Sequence, residues 1–223
     1  MKNQSALFAL GVFLGSYSLV YASESAKTFE IDLSHSNVGF TIKHLVSRVS
    51  GEFRSLEGEF VFDQAHPEKS KVKATVKADT IDTHEKKRDE HLKSADFFDV
   101  TQYPTLSFES KSFVSQGGQK YELQGNLTMH GVTRPVTFKV DYLGEANDPW
   151  GNHRAGFTAV TKINRKDFGI VWNKALDAGG FVLSDDVELN INIEGIQKKD
   201  QPASGEGTKK SSHKKGESAL VQK

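Results

Sequence analysis

The chain has 223 residues, 36% hydrophobic and 26% charged, with formal charges that sum to zero; this is the composition of an ordinary globular protein long enough to bury a core. The zero hides an uneven distribution, because seven lysines against three carboxylates fall between Lys198 and Lys223. The remainder is therefore mildly acidic, which argues against nucleic acid as a partner, since phosphate binding needs a basic face. Cysteine is absent, which excludes disulfides, thiolate nucleophiles, iron–sulfur clusters and cysteine-ligated zinc together.

The segment Met1–Ala22 carries one positive charge, Lys2, then an apolar run from Ala6 to Leu14 that continues less strictly to Tyr21, and it ends Val20-Tyr21-Ala22. That is the form of a signal peptide cleaved after Ala22. Gly11, Gly15, Ser16 and Ser18 make it a poor membrane anchor, and the run is short for a span. The expectation is an exported chain that does not cross a membrane.

From Phe29 the pattern has period two. Val38, Phe40 and Ile42 alternate with Gly39, Thr41 and Lys43; Val72, Ala74, Val76 and Ala78 alternate with lysines, Thr75 and Asp79. Further runs centre on Tyr121–Met129, Val136–Tyr142 and Val187–Ile193. Each predicts a strand with one wet and one dry face. Gly117-Gly118 and Gly131 read as turns. Many strands and little helix imply an all-β protein, an antiparallel barrel or sandwich. In Arg48–Asp63 the alternation changes phase across Arg54–Gly58, which predicts one long strand with a bulge or sharp bend.

One stretch breaks the pattern. Ile81–Phe108 is dense in charge and predicts a single helix from about Thr83 to Ser94, with Asp82 as N-cap and Glu85 in capping-box position. Leu92 and Ala95 are its apolar anchors. A helix so poor in apolar positions is either a solvated crossover or a lid laid across an opening. The loop Asp167–Asn173 is unusually apolar, and Phe168, Ile170 and Trp172 either plug one end of a barrel or line its mouth. Its Asp-Phe-Gly letters match a kinase motif, but neither a glycine-rich loop nor a catalytic loop accompanies them. After Ile196 low hydrophobicity and scattered lysine, glycine and serine predict a disordered basic tail, residues 197–223.

Candidate ionic chemistry is thin. His84-Glu85-Lys86-Lys87-Arg88 has Arg where a zinc-protease helix needs its second His. No Ser sits in a nucleophile elbow. Arg88 and His91 are expected to form surface ion pairs with Asp89 or Glu85. No catalytic residue, metal ligand or cofactor is assigned. The notable resource is aromatic: 15 Phe, many on dry faces. A barrel of about eight strands either packs solid or holds one small ligand, and small residues such as Ala74, Ala78, Gly125 and Ala159 would leave room.

The motifs Lys87-Arg88-Asp89-Glu90-His91-Leu92, Ser94–Val100, Tyr103-Pro104-Thr105, Leu127–Val136, Asp167-Phe168-Gly169 and the opening Ile31-Asp32…His35-Ser36-Asn37-Val38-Gly39-Phe40 together resemble the YceI-like family over about Phe29–Ile196. The resemblance implies an extended, antiparallel, lipocalin-like β-barrel, residues 23–196, in the bacterial periplasm. It also implies an apolar interior that holds a polyisoprenoid or another long-chain lipid. On that reading Phe40, Ile42, Phe53, Phe60, Phe62 and Val76 face the ligand, together with Leu106, Phe108, Leu127, Met129, Phe138 and Phe157. Leu92, Phe97, Phe98, Phe168, Ile170 and Trp172 guard the ends, and Arg88 and His91 stand where a polar headgroup would sit. A homodimer is kept as one option for its assembly. Two alternatives stand beside the carrier: an enzyme using His44, His91 or His130 on an apolar substrate, and an envelope stress or structural protein with a packed core.

Overall fold

Alternating side chains build one antiparallel wall. The computed structural model describes residues 26–177 and 179–199; the segment 1–22 and the basic tail from residue 200 onward lie outside the described residues. The strands are β1 (Lys27–Ile31), β2 (Asn37–His44), β3 (Ser47–Phe53), β4 (Glu57–Phe62), β5 (Lys71–Lys77), β6 (Ile81–Asp82), β7 (Thr105–Gly117), β8 (Lys120–Met129), β9 (Val132–Asn147), β10 (His153–Asn164) and β11 (Leu183–Gln197), with one helix, α1 (Lys86–Lys93), between β6 and β7. Eight of them, in the order β1-β4-β5-β7-β8-β9-β10-β11, close into a barrel when β11 returns to β1.

Closure depends on the length of β11. Its last residues pair with β1 (Phe29 opposite Gln197), whereas Val187–Asn192 pair with β2. The wall thus continues past the barrel seam into β2, β3 and the short β6. The phase change after Phe53 is a true strand break: β3 pairs with β2 and β6, then Arg54–Leu56 turns the chain so that β4 pairs with β1 and β5. Leu56 is buried at that corner. The expected bent strand is therefore two strands on two parts of the wall.

The interior has two unlike ends. At the end bearing the β7–β8 and β9–β10 turns the inward rings meet. Phe62 lies 4.8 Å from Tyr142 and 6.1 Å from Tyr121, Phe113 stacks on Tyr121 at 4.6 Å, and Phe157 meets Phe62 edge-on at 5.0 Å. Such offset and edge contacts are the favoured aromatic geometries. An ionic clasp covers this end: Arg154 Nη1 donates to Asp32 at 2.7 Å and Glu194 at 2.6 Å, and its Nε donates to Asp148 at 2.7 Å. Hydrogen bonds from Ser34 and Arg154 hold the Asp32 carboxyl well below the ordinary carboxylate range, against an opposing burial effect. Asp32, His35 and Glu194 come close enough together to suggest a metal ligand set, but the guanidinium lies between the two carboxylates where a cation would bind.

The other end carries α1, the turns of 94–104, the β2–β3 and β8–β9 turns and the loop 165–182. The helix starts later than the sequence suggests. Its N-cap is Glu85, whose carboxylate accepts from the amides of Lys87 and Arg88, so Asp82 is not the cap; Asp82 accepts from the amide of His84 instead. His84 has φ +62°, a left-handed turn that a helix begun at Thr83 cannot contain. Ala95 is exposed, and Leu92, Phe97 and Phe98 are the residues that turn inward. The predicted tail boundary also shifts, since Gln197 pairs in β11 and the Lys198 amide donates to Thr28 O at 2.8 Å.

Candidate functional site: an apolar cavity under the helix

Between the stacked aromatic end and α1 the barrel is hollow. A cavity of about 430 Å³ runs along its interior, within the range of about 300–1,000 Å³ usual for ligand pockets. Its floor is Phe62, Phe113, Leu123 and Val140, and its roof is Leu92, Phe97, Phe98, Ile170 and Trp172. Along the sides run Val38, Phe40 and Ile42 of β2, Phe157 and Ala159 of β10, and Val187, Leu189, Ile191 and Ile193 of β11. Those side residues are only half-buried although they point inward. In a solid core they would be covered by one another; here they face open space.

The walls are shaped by rings seated on glycines. A Cβ on Gly195 would lie 2.5 Å from the Phe60 ring, and one on Gly51 would lie 2.5 Å from the Phe40 ring. Gly125 stands in the same relation to the Phe108 ring and the Glu109 carbonyl. These glycines thus hold the three rings flat against the sheet. Gly125 does not leave room for a ligand, as its sequence position suggests; its space belongs to Phe108. Ala78 is completely buried in a turn and is also not on the wall. Ala74 and Ala159 do line the cavity.

The polar groups at the roof are largely occupied. Arg88 donates from Nε to Thr83 Oγ1 at 2.7 Å and from Nη2 to the Thr83 carbonyl at 2.8 Å. Asp89 accepts from the Thr83 amide and hydroxyl at 2.9 and 2.5 Å. The expected Arg88 ion pair with Asp89 or Glu85 is thus replaced by a shared grip on buried Thr83, which ties the helix to β6. The helix is rooted by these polar bonds at one end and by rings at the other. His91 Nε2 donates to the Asp96 carboxylate at 2.8 Å, and the ring sits edge-on to both Phe97 and Trp172 at 5.0 Å.

The apolar loop after β10 is held from within. Arg165 is buried, and its Nη1 donates to the carbonyls of Ile170 and Trp172, both at 2.8 Å, while Nε donates to Ser184 O. Burial pushes its guanidinium pKa down, partly offset by Asp185. This clamp sets Ile170 and Trp172 on the roof. Gly169, at φ +80°, lets the chain reverse there. Phe168 is 1% exposed but does not reach the cavity; it plugs the space beside it, and its carbonyl meets His130 Nδ1 at 3.1 Å. Every other apolar residue that the sequence nominates lies on the wall, as do Arg88 and His91. Phe168 is the exception. The sequence reading misses the aliphatic side formed by β11, with Val38 of β2, whose alternation is visible but which carries no rings to draw attention.

These features define a class: a closed, lipocalin-like antiparallel barrel with an apolar cavity and a short helix across one end. The chain belongs to the YceI-like family, whose domain model matches residues 29–195. It is 40% identical over 202 residues to a UPF0312 protein of Pseudomonas putida, covering 89% of this chain and all of that one, and 42% identical to a UPF0312 protein of Azotobacter vinelandii over 82% and 94% of the two chains. Among solved structures, BcnA of Burkholderia cenocepacia superposes with a TM-score of 0.66 at 24% identity, covering 74% of this chain and 98% of that one. The Campylobacter jejuni YCEI protein does so with a TM-score of 0.60 at 32% identity, over 70% and 90%. A polyisoprenoid binding domain from Saccharophagus degradans, at 13% identity and a TM-score of 0.55 over 76% and 98%, shares the fold.

Proposed function

We propose that the protein is an exported binding protein that holds a polyisoprenoid or similar long-chain lipid inside the barrel, for carriage, storage or sequestration. The observation that carries this reading is the half-exposed aliphatic and aromatic wall around a hollow of about 430 Å³. Taking about ten methylenes of a ligand out of water is worth roughly 8 kcal/mol before ordering costs, and that gross figure already corresponds to about micromolar binding. A polyprenyl tail offers several times as many groups. Burial alone therefore suffices, and Arg88 and His91 serve at most to orient a headgroup at the roof.

The solved domain described as polyisoprenoid binding supports the ligand class by fold alone. The signal-like segment Met1–Ala22 supports export to the periplasm. An enzymatic reading draws less support, because of its three histidines only His44 and His91 reach the cavity and His130 lies outside it, edge-on to Tyr103 at 4.6 Å. A packed-core reading conflicts with the hollow.

Native mass spectrometry of protein purified from envelope extracts without detergent tests the proposal. A population heavier than the polypeptide by the mass of one lipid is expected, and organic extraction should release it. A clean polypeptide mass, with no rise in melting temperature on adding polyprenol, overturns the reading.

A further inference from the structure

Half of the exposed large apolar side chains sit together at the end of the barrel where the helix lies. Of the ten among the described residues, Leu45 and Val46 form the β2–β3 turn, and Val171, Leu176 and Phe181 belong to the 169–182 loop. The remaining five are spread singly over other elements. The two segments are bonded to each other: the Leu45 amide donates to Val182 O at 2.9 Å, and Leu183 pairs with His44. Val46 is fully exposed, and Val171 and Phe181 are 63% and 62% exposed. Scattered surface hydrophobes need no explanation, but contiguous ones mark an interaction site.

The turn is also held against its preference. Leu45 has φ +51°, a left-handed conformation that hairpins ordinarily give to Asn, Asp or Gly. A branched aliphatic there is strained and solvent-exposed at once, and such outliers concentrate at functional positions. The next residues inward, Ile42, His44, Val49, Val182 and Leu183, line the cavity. The exposed apolar surface is therefore continuous with the cavity wall.

Cations flank this surface. Lys166 lies 5.8 Å from the centre of the Phe181 ring, but its ammonium is already paired with Asp185 at 2.9 Å, so the unpaired charge comes from two other lysines. Lys43 and Lys174 are exposed and have no ion-pair partner among the described residues. Their long stems can lie along an apolar layer with the ammonium groups in the headgroup region. This combination matches one occupant: an anionic bilayer surface.

We propose that this end of the barrel docks on an anionic lipid bilayer, with Leu45, Val46, Val171 and Phe181 entering the interfacial layer and Lys43 and Lys174 meeting lipid phosphates, so that the cavity opens toward the bilayer. The inference rests on the lipid-binding reading for its purpose but not for its test. None of the four apolar tips lines the cavity, so docking and cargo retention are separable.

The full chain has no native cysteine, so Val46→Cys places an environment-sensitive fluorophore at the tip, and Trp150→Cys places one on the exposed turn at the opposite end. Both are mixed with phosphatidylcholine vesicles with or without about one phosphatidylglycerol in four. The expected result is a blue shift of the Val46→Cys probe on anionic vesicles, with an unshifted Trp150→Cys probe. Unlabelled Val46→Asp/Phe181→Asp should co-sediment at least about tenfold more weakly than the parent while keeping the parent's bound-lipid mass. An unshifted Val46→Cys probe overturns docking, including the case in which the lysine-rich end alone tethers the chain. Equal shifts at both probes, equal binding to neutral vesicles, or undiminished binding of the double variant overturn it too. If cargo is absent while the Val46→Cys probe still shifts, the lipid-binding reading fails and docking stands.

Discussion

Substitution of Ala159 by Phe separates a hollow barrel from a packed one by the sign of its effects. Ala159 is a half-buried wall residue of β10, opposite Val140 on one side and Ile191 on the other. The change adds six ring carbons to the cavity. If each displaces one ligand methylene, about 5 kcal/mol of burial is lost, which is an upper bound of roughly 10³–10⁴-fold in affinity. A lipid that shifts aside recovers part of this, and a loss of at least about tenfold is expected. The delipidated protein should gain, because the ring fills void at about 24 cal/mol per Å³. In a packed interior the same ring would cost about 1–3 kcal/mol, or roughly 2–4 °C of melting temperature per kcal/mol for a chain of this size. Calorimetric melting after organic extraction, paired with native mass spectrometry of unextracted protein, reads both quantities. A lower melting temperature with undiminished lipid would refute the reasoning.

Three further outcomes are expected. Gly125→Ala should destabilise by about 1–3 kcal/mol in urea unfolding, because its Cβ collides with the Phe108 ring and the Glu109 carbonyl; adding Phe108→Leu should restore part of that loss, and no restoration would show that the backbone contact dominates. Arg165→Met should leave the Ile170 and Trp172 carbonyls without their donor, costing about 1–3 kcal/mol for each buried group left unpaired, and it should change Trp172 fluorescence and speed lipid release; unchanged release would mean that the loop does not gate the cavity. Arg154→Met should remove stability that depends on acid. The folded-state carboxyl of Asp32 titrates well below its ordinary value of 3.8, so its stabilising share is present above that value and is lost as pH falls below it. The gap in melting temperature between parent and variant should accordingly be widest above pH 5 and shrink toward pH 2, and a constant gap would refute the clasp.

Much of the wall was legible because a strand with one dry face writes its geometry as period two. Tyr121, Leu123, Leu127 and Met129 are all buried as that rule demands. The turns at Gly117-Gly118 and Gly131 adopt left-handed backbone, as glycine there suggests. What sequence could not show is which inward residues meet one another and which face space. Phe62 and Phe157 pack together at the closed end, yet Phe157 is also a cavity wall; alternation is identical for both conditions. The glycine seats of Phe40 and Phe108 lie on the adjacent strand and that of Phe60 lies across β1 on β11, so local pattern carries no trace of them. The helix starts later than the pattern predicts because residue type favours Asp82 over Glu85 as N-cap, whereas Glu85 is the residue that caps Lys87 and Arg88. The deciding factor was the left-handed turn at His84, imposed by the grip of Arg88 and Asp89 on Thr83.

The most direct test of a hollow barrel built to hold a greasy chain is a crystal structure of protein purified from the envelope without detergent. The account predicts continuous tubular density for one lipid from the Phe113 floor to Trp172 under the helix, in contact with Ile191 and Ile193. Side chains that collapse to close the interior, or a cavity holding only ordered water, would contradict it.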